Sequence, residues 1–254
     1  LILLAALIWS SINEPEIAFY IIKTNKAYPE YVNARGESAI ILAFQNIEQT
    51  PDMEVIISML LETKQVNVST PDRDNNTCLI YACKDKKFQE IALLLLDYGN
   101  TNPEHVDNFS NTALMYACNN SMTEVASKII QTGQSNPSHV NNVGLTALII
   151  SIVFNLSNIA IEILNTGNAS PGHIDSDQHS TALIYACSKN MSDVALAILN
   201  TGEANPDVVD KREFTALMYS IKNNMINVIP VLLQTNNSNP TLKNSKGDSA
   251  FTIA

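Results

Sequence analysis

Apolar and polar residues along this chain alternate in blocks that predict pairs of short helices separated by polar turns. In the segment from 181 to 214, apolar residues recur at helical spacing first between 182 and 187 and again between 194 and 199. Spacings of three and four residues place such side chains on one face of a helix. Thr181 precedes the first stripe and predicts an N-cap, because its hydroxyl can accept an early helix N–H. Asn190 separates the two stripes, where a residue that tolerates positive φ is useful.

The same two-helix unit recurs along the whole chain. The residues that open its copies are Ser38, Thr77, Thr112, Thr146, Thr181, Thr215 and Ser249, at spacings of 39, 35, 34, 35, 34 and 34. An earlier copy begins near Leu4, and the extra residues of the second copy lie around Glu48 to Pro51. Such periods are typical of solenoids, whose stacked units bury a core that no single unit could bury. We therefore predict one all-α domain over 1–254, with about seven repeats and a truncated eighth from 249.

The second helix of each unit ends at a recognisable signal. Glycines at 99, 133, 167 and 202 follow this helix, and Asn25 and Asn236 take the same place in two other copies. Both residue types accept the left-handed conformation that satisfies the last carbonyl groups of a helix. Prolines follow in six copies, at Pro29, Pro103, Pro137, Pro171, Pro206 and Pro240. Each unit is therefore predicted to contain two helices and a short extended turn.

This layout resembles the ankyrin repeat. The family pattern T-P-L-H-x-A corresponds to the run Thr181-Ala182-Leu183-Ile184-Tyr185-Ala186, and the glycine that ends the second helix corresponds to Gly202. Alanine or cysteine replaces the usual proline, and isoleucine or methionine replaces the usual histidine, so the hydrogen bond of that histidine is absent. The resemblance covers essentially the whole chain. It implies a solenoid of stacked helix-turn-helix units with short extended turns and a non-catalytic role in protein binding.

The overall charge limits the classes of partner. The chain has a formal net charge of −10 and no cluster of basic residues, and 46% of its residues are hydrophobic. Sequence-independent binding to nucleic acid or to an anionic membrane depends on Lys and Arg, so neither partner is expected. Net charge instead favours a neutral or basic protein partner. The apolar run over 1–9 falls in register with a first helix and is not expected to be a signal peptide or membrane span.

The residues that could carry chemistry recur at equivalent repeat positions. Three cysteines, Cys83, Cys118 and Cys187, share one position, and Cys78 lies one turn earlier than Cys83. Equivalent positions in neighbouring units lie roughly 10 Å apart, beyond the limit of about 7 Å for a disulfide, so reduced and packed thiols are expected. The histidines at 105, 139 and 173 cannot converge on one ion for the same reason. No catalytic motif is found, and we expect no metal, no cofactor and no enzymatic activity.

Tyrosines at 81, 116, 185 and 219 share a position on the first helix. They could line a binding groove, or they could fill the core with the hydroxyl bonded to a backbone group; we favour the second interpretation.

The resemblance places partner binding on the concave face, formed by the turn tips and the outer flank of the first helices. Several residues there are large and apolar without being needed by the repeat pattern, and nearby cations differ between repeats. The candidate partner-binding residues are Phe109, Val143, Leu145, Phe154, Lys189, Lys211, Arg212 and Phe214. Apolar anchors would supply most of the affinity and the rim charges would steer association.

The sequence thus favours a monomeric, cytoplasmic scaffold that binds a protein partner. Asn-rich variant repeats of this kind are similar to arrays of large DNA viruses and some protists, which would place the protein in a host-cell cytoplasm. One alternative is the targeting arm of a larger enzyme or ubiquitin-ligase adaptor, since neither end has the polar cap of a terminal repeat and we expect the parent chain to continue in both directions. A second alternative is a purely mechanical role as a spacer.

Overall fold

The computed structural model describes residues 15–24, 30, 32–33, 36–46, 53–235 and 238–254. Within these ranges the chain is helical, with short 3₁₀ and turn segments and isolated β-bridges. The all-α prediction is therefore confirmed for the described residues. The predictions for the run over 1–9, the insertion at 48–51, Asn25, Pro29 and Asn236 lie outside the described residues.

Helices are numbered here in chain order. They are α1 (Pro15–Lys23), α2 (Ala39–Asn46), α3 (Met53–Glu62), α4 (Cys78–Cys83), α5 (Gln89–Tyr98), α6 (Ala113–Asn119), α7 (Thr123–Gln131), α8 (Ala147–Val153), α9 (Ser157–Asn165), α10 (Ala182–Ser188), α11 (Ser192–Asn200), α12 (Ala216–Lys222), α13 (Val228–Gln234) and α14 (Ala250–Ile253). A 3₁₀ turn, Lys86–Phe88, precedes α5.

The chain forms two compact units, an N-terminal unit of residues 1–135 and a C-terminal unit of residues 136–254. In the N-terminal unit, α2, α4 and α6 are first helices that pack in sequence, and α3, α5 and α7 are second helices that do the same. In the C-terminal unit, α8, α10, α12 and α14 form the first-helix layer, and α9, α11 and α13 form the second. Each unit is thus a stack of two-helix hairpins. That both units form one domain over 1–254 stays a prediction.

The predicted helix start is confirmed. Thr181 has extended backbone geometry, and its hydroxyl accepts a hydrogen bond from the backbone N–H of Ile184 at 3.3 Å. The same contact is made by Thr77, Thr112, Thr146 and Thr215. Each first helix in these repeats has only six or seven residues, and its first four backbone N–H groups have no acceptor within the helix. The threonine hydroxyl supplies an acceptor for one of these four groups.

The residues at the break between paired helices also behave as predicted. Asn155, Asn190 and Asn224 have φ values of 58°, 58° and 53°. The left-handed conformation lets the second helix reverse direction within two residues. At the turn position that leads into a first helix, Gly144 has φ 80°, and a Cβ there would lie 2.4 Å from Ser176 Oγ. Because Ser176 of the next repeat lies so close, position 144 requires glycine.

Small and branched side chains of both helix layers make up the core. The leucines at 79, 114, 148, 183 and 217 are all fully or almost fully buried. The residue one turn further along the same helices is small and buried, alanine at 82, 117 and 186 and serine at 151 and 220, which lets neighbouring repeats approach closely. All four cysteines are free and buried, as predicted. Burial raises the pKa of Cys118 and Cys187 to about 12, so these thiols are poor nucleophiles at neutral pH.

Candidate protein-interaction surface

A carboxylate or an amide organises the turn before each first helix. Asp107 Oδ1 accepts hydrogen bonds from the backbone N–H groups of Phe109 and Asn111, both at 2.9 Å. Two backbone donors converge on one oxygen, which closes the turn and directs the residue at its tip outward. The equivalent positions are filled by Asp72, Asn141, Asp210 and Asn244, each with two backbone donors.

The second carboxylate oxygen is bonded to a tyrosine hydroxyl of the following helix. Tyr116 donates to Asp107 Oδ2 at 2.6 Å, and Tyr219 donates to Asp210 Oδ2 at 2.7 Å. Tyr81 makes the same bond to Asp72. The four repeated tyrosines are half-buried, so the prediction that they pack into the fold is supported. The predicted hydroxyl partner was wrong, because an aspartate side chain, rather than a backbone group, accepts the bond.

The identity of the turn residue is matched to the helix residue in every repeat from 33 onward. Where the turn has Asp, at 72, 107, 175 and 210, the helix has Tyr; where it has Asn, at 33, 141 and 244, the helix has Leu42, Ile150 or Ile253. A carboxylate has a second acceptor oxygen that needs a donor, whereas an amide presents N–H₂ at that place. In the last repeat this group, Asn244 Nδ2, is buried without a hydrogen-bond partner. This correlation between repeats was a sequence signal that could have identified the pairs.

Burial and the adjacent carboxylates make these tyrosines weak acids. Burial, followed by the hydrogen bond to Asp107, raises the pKa of Tyr116 to about 12, and burial with the bond to Asp210 does the same for Tyr219. The pKa values of Tyr81 and Tyr185 are raised further for the same reasons. At Asp72, burial opposes ionisation, but hydrogen bonds from Tyr81 and from backbone and amide donors outweigh it and lower the pKa.

We expect the protein to lose stability in alkaline solution. A tyrosine with a raised folded-state pKa holds its proton more tightly in the folded than in the unfolded protein. This contribution is complete below the ordinary tyrosine pKa of about 10 and is lost as pH rises through about 12. Phenolate absorbance in the folded protein should therefore rise at higher pH than in urea. Tyr116→Phe should remove part of that delayed rise, and identical midpoints with and without urea would contradict the assignment.

Three histidines connect successive turns. His105 Nε2 lies 3.0 Å from the carbonyl oxygen of Asn75, and His173 Nε2 lies 2.9 Å from that of Gly144. His179 Nδ1 contacts the carbonyl of Val209 at 3.0 Å. No group of three or more metal-ligating side chains is found in the ranges that the structure describes.

We define the turn face as the turns before the first helices together with the C-terminal ends of those helices. Three candidate residues are exposed on it: Phe109 has 66% of its surface exposed, Val143 has 59% and Phe154 has 41%. Phe109 belongs to the N-terminal unit, and the other two belong to the C-terminal unit. Phe109 and Val143 lie at turn tips, and Phe154 ends α8. Each of these side chains therefore presents apolar surface to solvent, more at Phe109 and Val143 than at Phe154.

Leu145 and Phe214 are half-buried and not fully exposed as the sequence suggested. Both residues directly precede the threonine that caps a first helix. An apolar side chain at this place packs on the fifth residue after it, an arrangement called the hydrophobic staple. For Phe214 that residue is Tyr219, and the two ring centroids lie 5.0 Å apart. Phe214 therefore supports the Tyr219–Asp210 pair and presents only part of its ring to solvent.

The candidate cations lie on exposed parts of the C-terminal unit. Lys189 caps the end of α10, and Lys211 and Arg212 form the tip of the next turn. Lys211 Nζ lies 3.7 Å from Asp177 Oδ1 of the preceding turn. Arg212 borders an open cleft of about 330 Å³, which is lined by Gln178, Ser180, Ile184, Tyr185, Ser188, Asp210, Arg212 and Tyr219. The sequence did not reveal this cleft, because its lining comes from two successive repeats.

A lysine of the N-terminal unit is held in a position that the sequence did not indicate. Lys84 Nζ lies 5.6 Å from the ring centroid of Tyr81 and 5.2 Å from that of Tyr116. It also contacts Asn76 Oδ1 at 2.5 Å and lies 3.6 Å from the buried carboxylate of Asp107. These contacts compensate the charge of Asp107 and restrict the lysine side chain. Lys84 therefore stabilises the turn face and is poorly placed to bind a partner.

None of the helices in the described ranges is long and apolar enough to cross a membrane.

Comparison with known proteins agrees with this geometry. A family model described as ankyrin repeats (3 copies) matches residues 3–107, 89–175 and 161–244. The ankyrin repeat domain of Bcl-3, a member of the IkappaB protein family, is similar in structure, with a TM-score of 0.59 and 19% identity over 84% of this chain and 92% of that one. An ankyrin repeat domain from Acinetobacter baumannii AYE has a TM-score of 0.60 and 23% identity, over 77% of this chain and 97% of that one. No curated protein sequence matches the chain. The resemblance to ankyrin repeats is thus confirmed.

Proposed function

Because the chain belongs to the ankyrin-repeat family, whose domains generally mediate protein–protein interaction, we propose that it is a non-catalytic scaffold that binds a protein partner through its turn face. In the proposed solenoid this is the concave face. The scaffold acts as a monomer in the cytoplasm, where a reducing environment suits its four free cysteines.

The exposed apolar residues of the turn face carry this proposal. Phe109, Val143 and Phe154 expose large apolar surface at turn tips and at the end of a first helix. The threonine caps and the hydrogen bonds to Asp107 and Asn141 hold the backbone of these turns in place. Exposed aromatic and branched side chains on a rigid frame bind with little loss of conformational entropy. Large apolar side chains with this much exposed surface on one face are typical of a binding surface.

Replacing these three residues with serine is expected to abolish partner binding without unfolding the protein. Each anchor that buries its side chain in a complex should contribute about tenfold or more to affinity, whereas exposed substitutions change stability by about 0.5 kcal/mol or less. The test is affinity purification from cell extract with the wild type and with F109S/V143S/F154S, followed by mass spectrometry and thermal melting. Phe214 is left intact, because its substitution would also disturb Tyr219.

The matched control is V55S/L94S/L233S, which removes apolar residues of similar exposure from second helices. Proteins that are captured by the wild type and by this control, but lost with the turn-face variant, are the expected result. If F109S/V143S/F154S retains the same proteins at the same level, the turn face is not the binding surface.

A further inference from the structure

The positive charges of the C-terminal unit all lie on one side. Residues 136–254 contain six Lys and Arg residues, and every one lies in a turn before a first helix or at the C-terminal end of one. They are Lys189, Lys211, Arg212, Lys222, Lys243 and Lys246. The second helices α9, α11 and α13 contain none and carry Glu162 and Asp193. The N-terminal unit differs, since Lys128 lies on the second helix α7.

Four of the seven carboxylates on the same side are engaged within the fold. Asp175 and Asp210 accept backbone hydrogen bonds that close their turns. Asp177 lies beside Lys211, and Asp207 accepts a hydrogen bond from the backbone N–H of Asn239. The remaining acidic groups in these segments are the exposed Glu203 and Glu213 and the half-buried Asp248. In the described part of the chain, by contrast, no carboxylate lies within ion-pair distance of Lys189, Arg212, Lys222, Lys243 or Lys246. All six cations are exposed, whereas only four of the seven carboxylates in these segments are. The exposed surface of this face therefore has an excess of positive charge, although the net charge of the whole chain is −10.

The cleft beside Arg212 combines this charge with apolar surface. The rings of Tyr185 and Tyr219 line it, and their hydroxyl groups are directed to Asp175 and Asp210. Phe214 packs against Tyr219, and Lys222 Nζ lies 5.9 Å from the centroid of the Phe214 ring. A guanidinium can bind a carboxylate through two parallel hydrogen bonds, and the neighbouring rings can contact an apolar side chain next to that carboxylate.

We propose that the turn face of the C-terminal unit binds an acidic protein segment, an extended stretch that carries Asp or Glu side chains next to an apolar one. The inference rests on the proposed function and specifies the chemistry of its partner. It departs from the neutral or basic partner that net charge alone favours, because a ligand senses the charges of the face it contacts within about one Debye length of about 10 Å at 0.1 M salt. Nucleic acid fits this face less well, because it carries a charge at every phosphate and four exposed carboxylates accompany the six cations of the face.

Selection from a random peptide library on the full chain tests the proposal. Peptides selected by the wild type are expected to be enriched in Asp and Glu over the unselected library. The strongest of them, measured by fluorescence anisotropy, should bind R212Q/K222Q about tenfold more weakly and should lose affinity between 0.1 M and 1 M salt, as the Debye length falls to about 3 Å. The control N158D/N227D changes net charge by the same two units on exposed positions of the second-helix side, and its affinity should stay unchanged.

Several results would overturn the proposal. These are selected peptides without acidic enrichment, an unchanged affinity of R212Q/K222Q, and tighter binding of an oligo-dT strand than of the acidic peptide. Neutral or basic peptides that lose affinity in F109S/V143S/F154S would remove the acidic preference and leave the protein-binding function intact. If no peptide is selected and no protein is captured from extract, both proposals fail.

Discussion

Replacing Leu114 or Leu183 with alanine is expected to lower the free energy of unfolding by about 2–5 kcal/mol. Both leucines are completely buried in first helices, one in each compact unit. Their removal takes apolar contacts from the repeat itself and from the adjacent repeat of the same unit, and the surrounding helices can close the resulting cavity only in part. Urea denaturation followed by circular dichroism measures the effect.

The matched controls are Leu94→Ala in the N-terminal unit and Leu233→Ala in the C-terminal unit, both at half-exposed positions of second helices. These controls should cost less than about 1 kcal/mol, since exposed side chains gain little from folding. Repeat arrays can unfold in steps, so a change confined to one transition would assign the loss to one unit. Equal losses for Leu114→Ala and Leu94→Ala would contradict the hairpin packing described above.

Removing the carboxylate of Asp107 is expected to have a comparable effect, with Asp107→Ala costing about 3–5 kcal/mol. The change leaves the backbone N–H groups of Phe109 and Asn111 without their acceptor and the Tyr116 hydroxyl without its partner. It also removes the buried partner of Lys84. Asp74→Ala, at an exposed position of the preceding turn, is the control and should be nearly neutral.

A double-mutant cycle separates the pairing from the turn itself. Asp107→Asn preserves the acceptor for the backbone but presents an amide N–H₂ to Tyr116. Tyr116→Ile leaves the second carboxylate oxygen without a donor. The combination D107N/Y116I copies the natural pair Asn141 and Ile150, so the double variant should be about 1–2 kcal/mol more stable than the sum of the two single losses predicts. Strict additivity would show that the correlation between repeats has another cause.

The sequence alone was sufficient for features that depend on a few neighbouring residues. The threonine caps, the positive φ of Asn190 and the apolar stripes were predicted correctly, because helix starts, breaks and buried faces are set by spacing and backbone preference over one or two helical turns. Seven repetitions of the same signals also determined the family, since chance similarity does not recur at a constant period.

Other features depended on which residues the fold brings together. Phe214 looked as exposed as Phe109, but its ring packs on Tyr219 one helical turn into the next helix. The net charge described the whole chain, whereas the turn face of the C-terminal unit collects all of that unit's cations. The sequence by itself determined the repeat, its caps and its core, because those are local or periodic. Only the tertiary structure decided which side chains remain free to meet a partner, because exposure and charge pairing depend on contacts between a turn, its own helix and the repeat beside it.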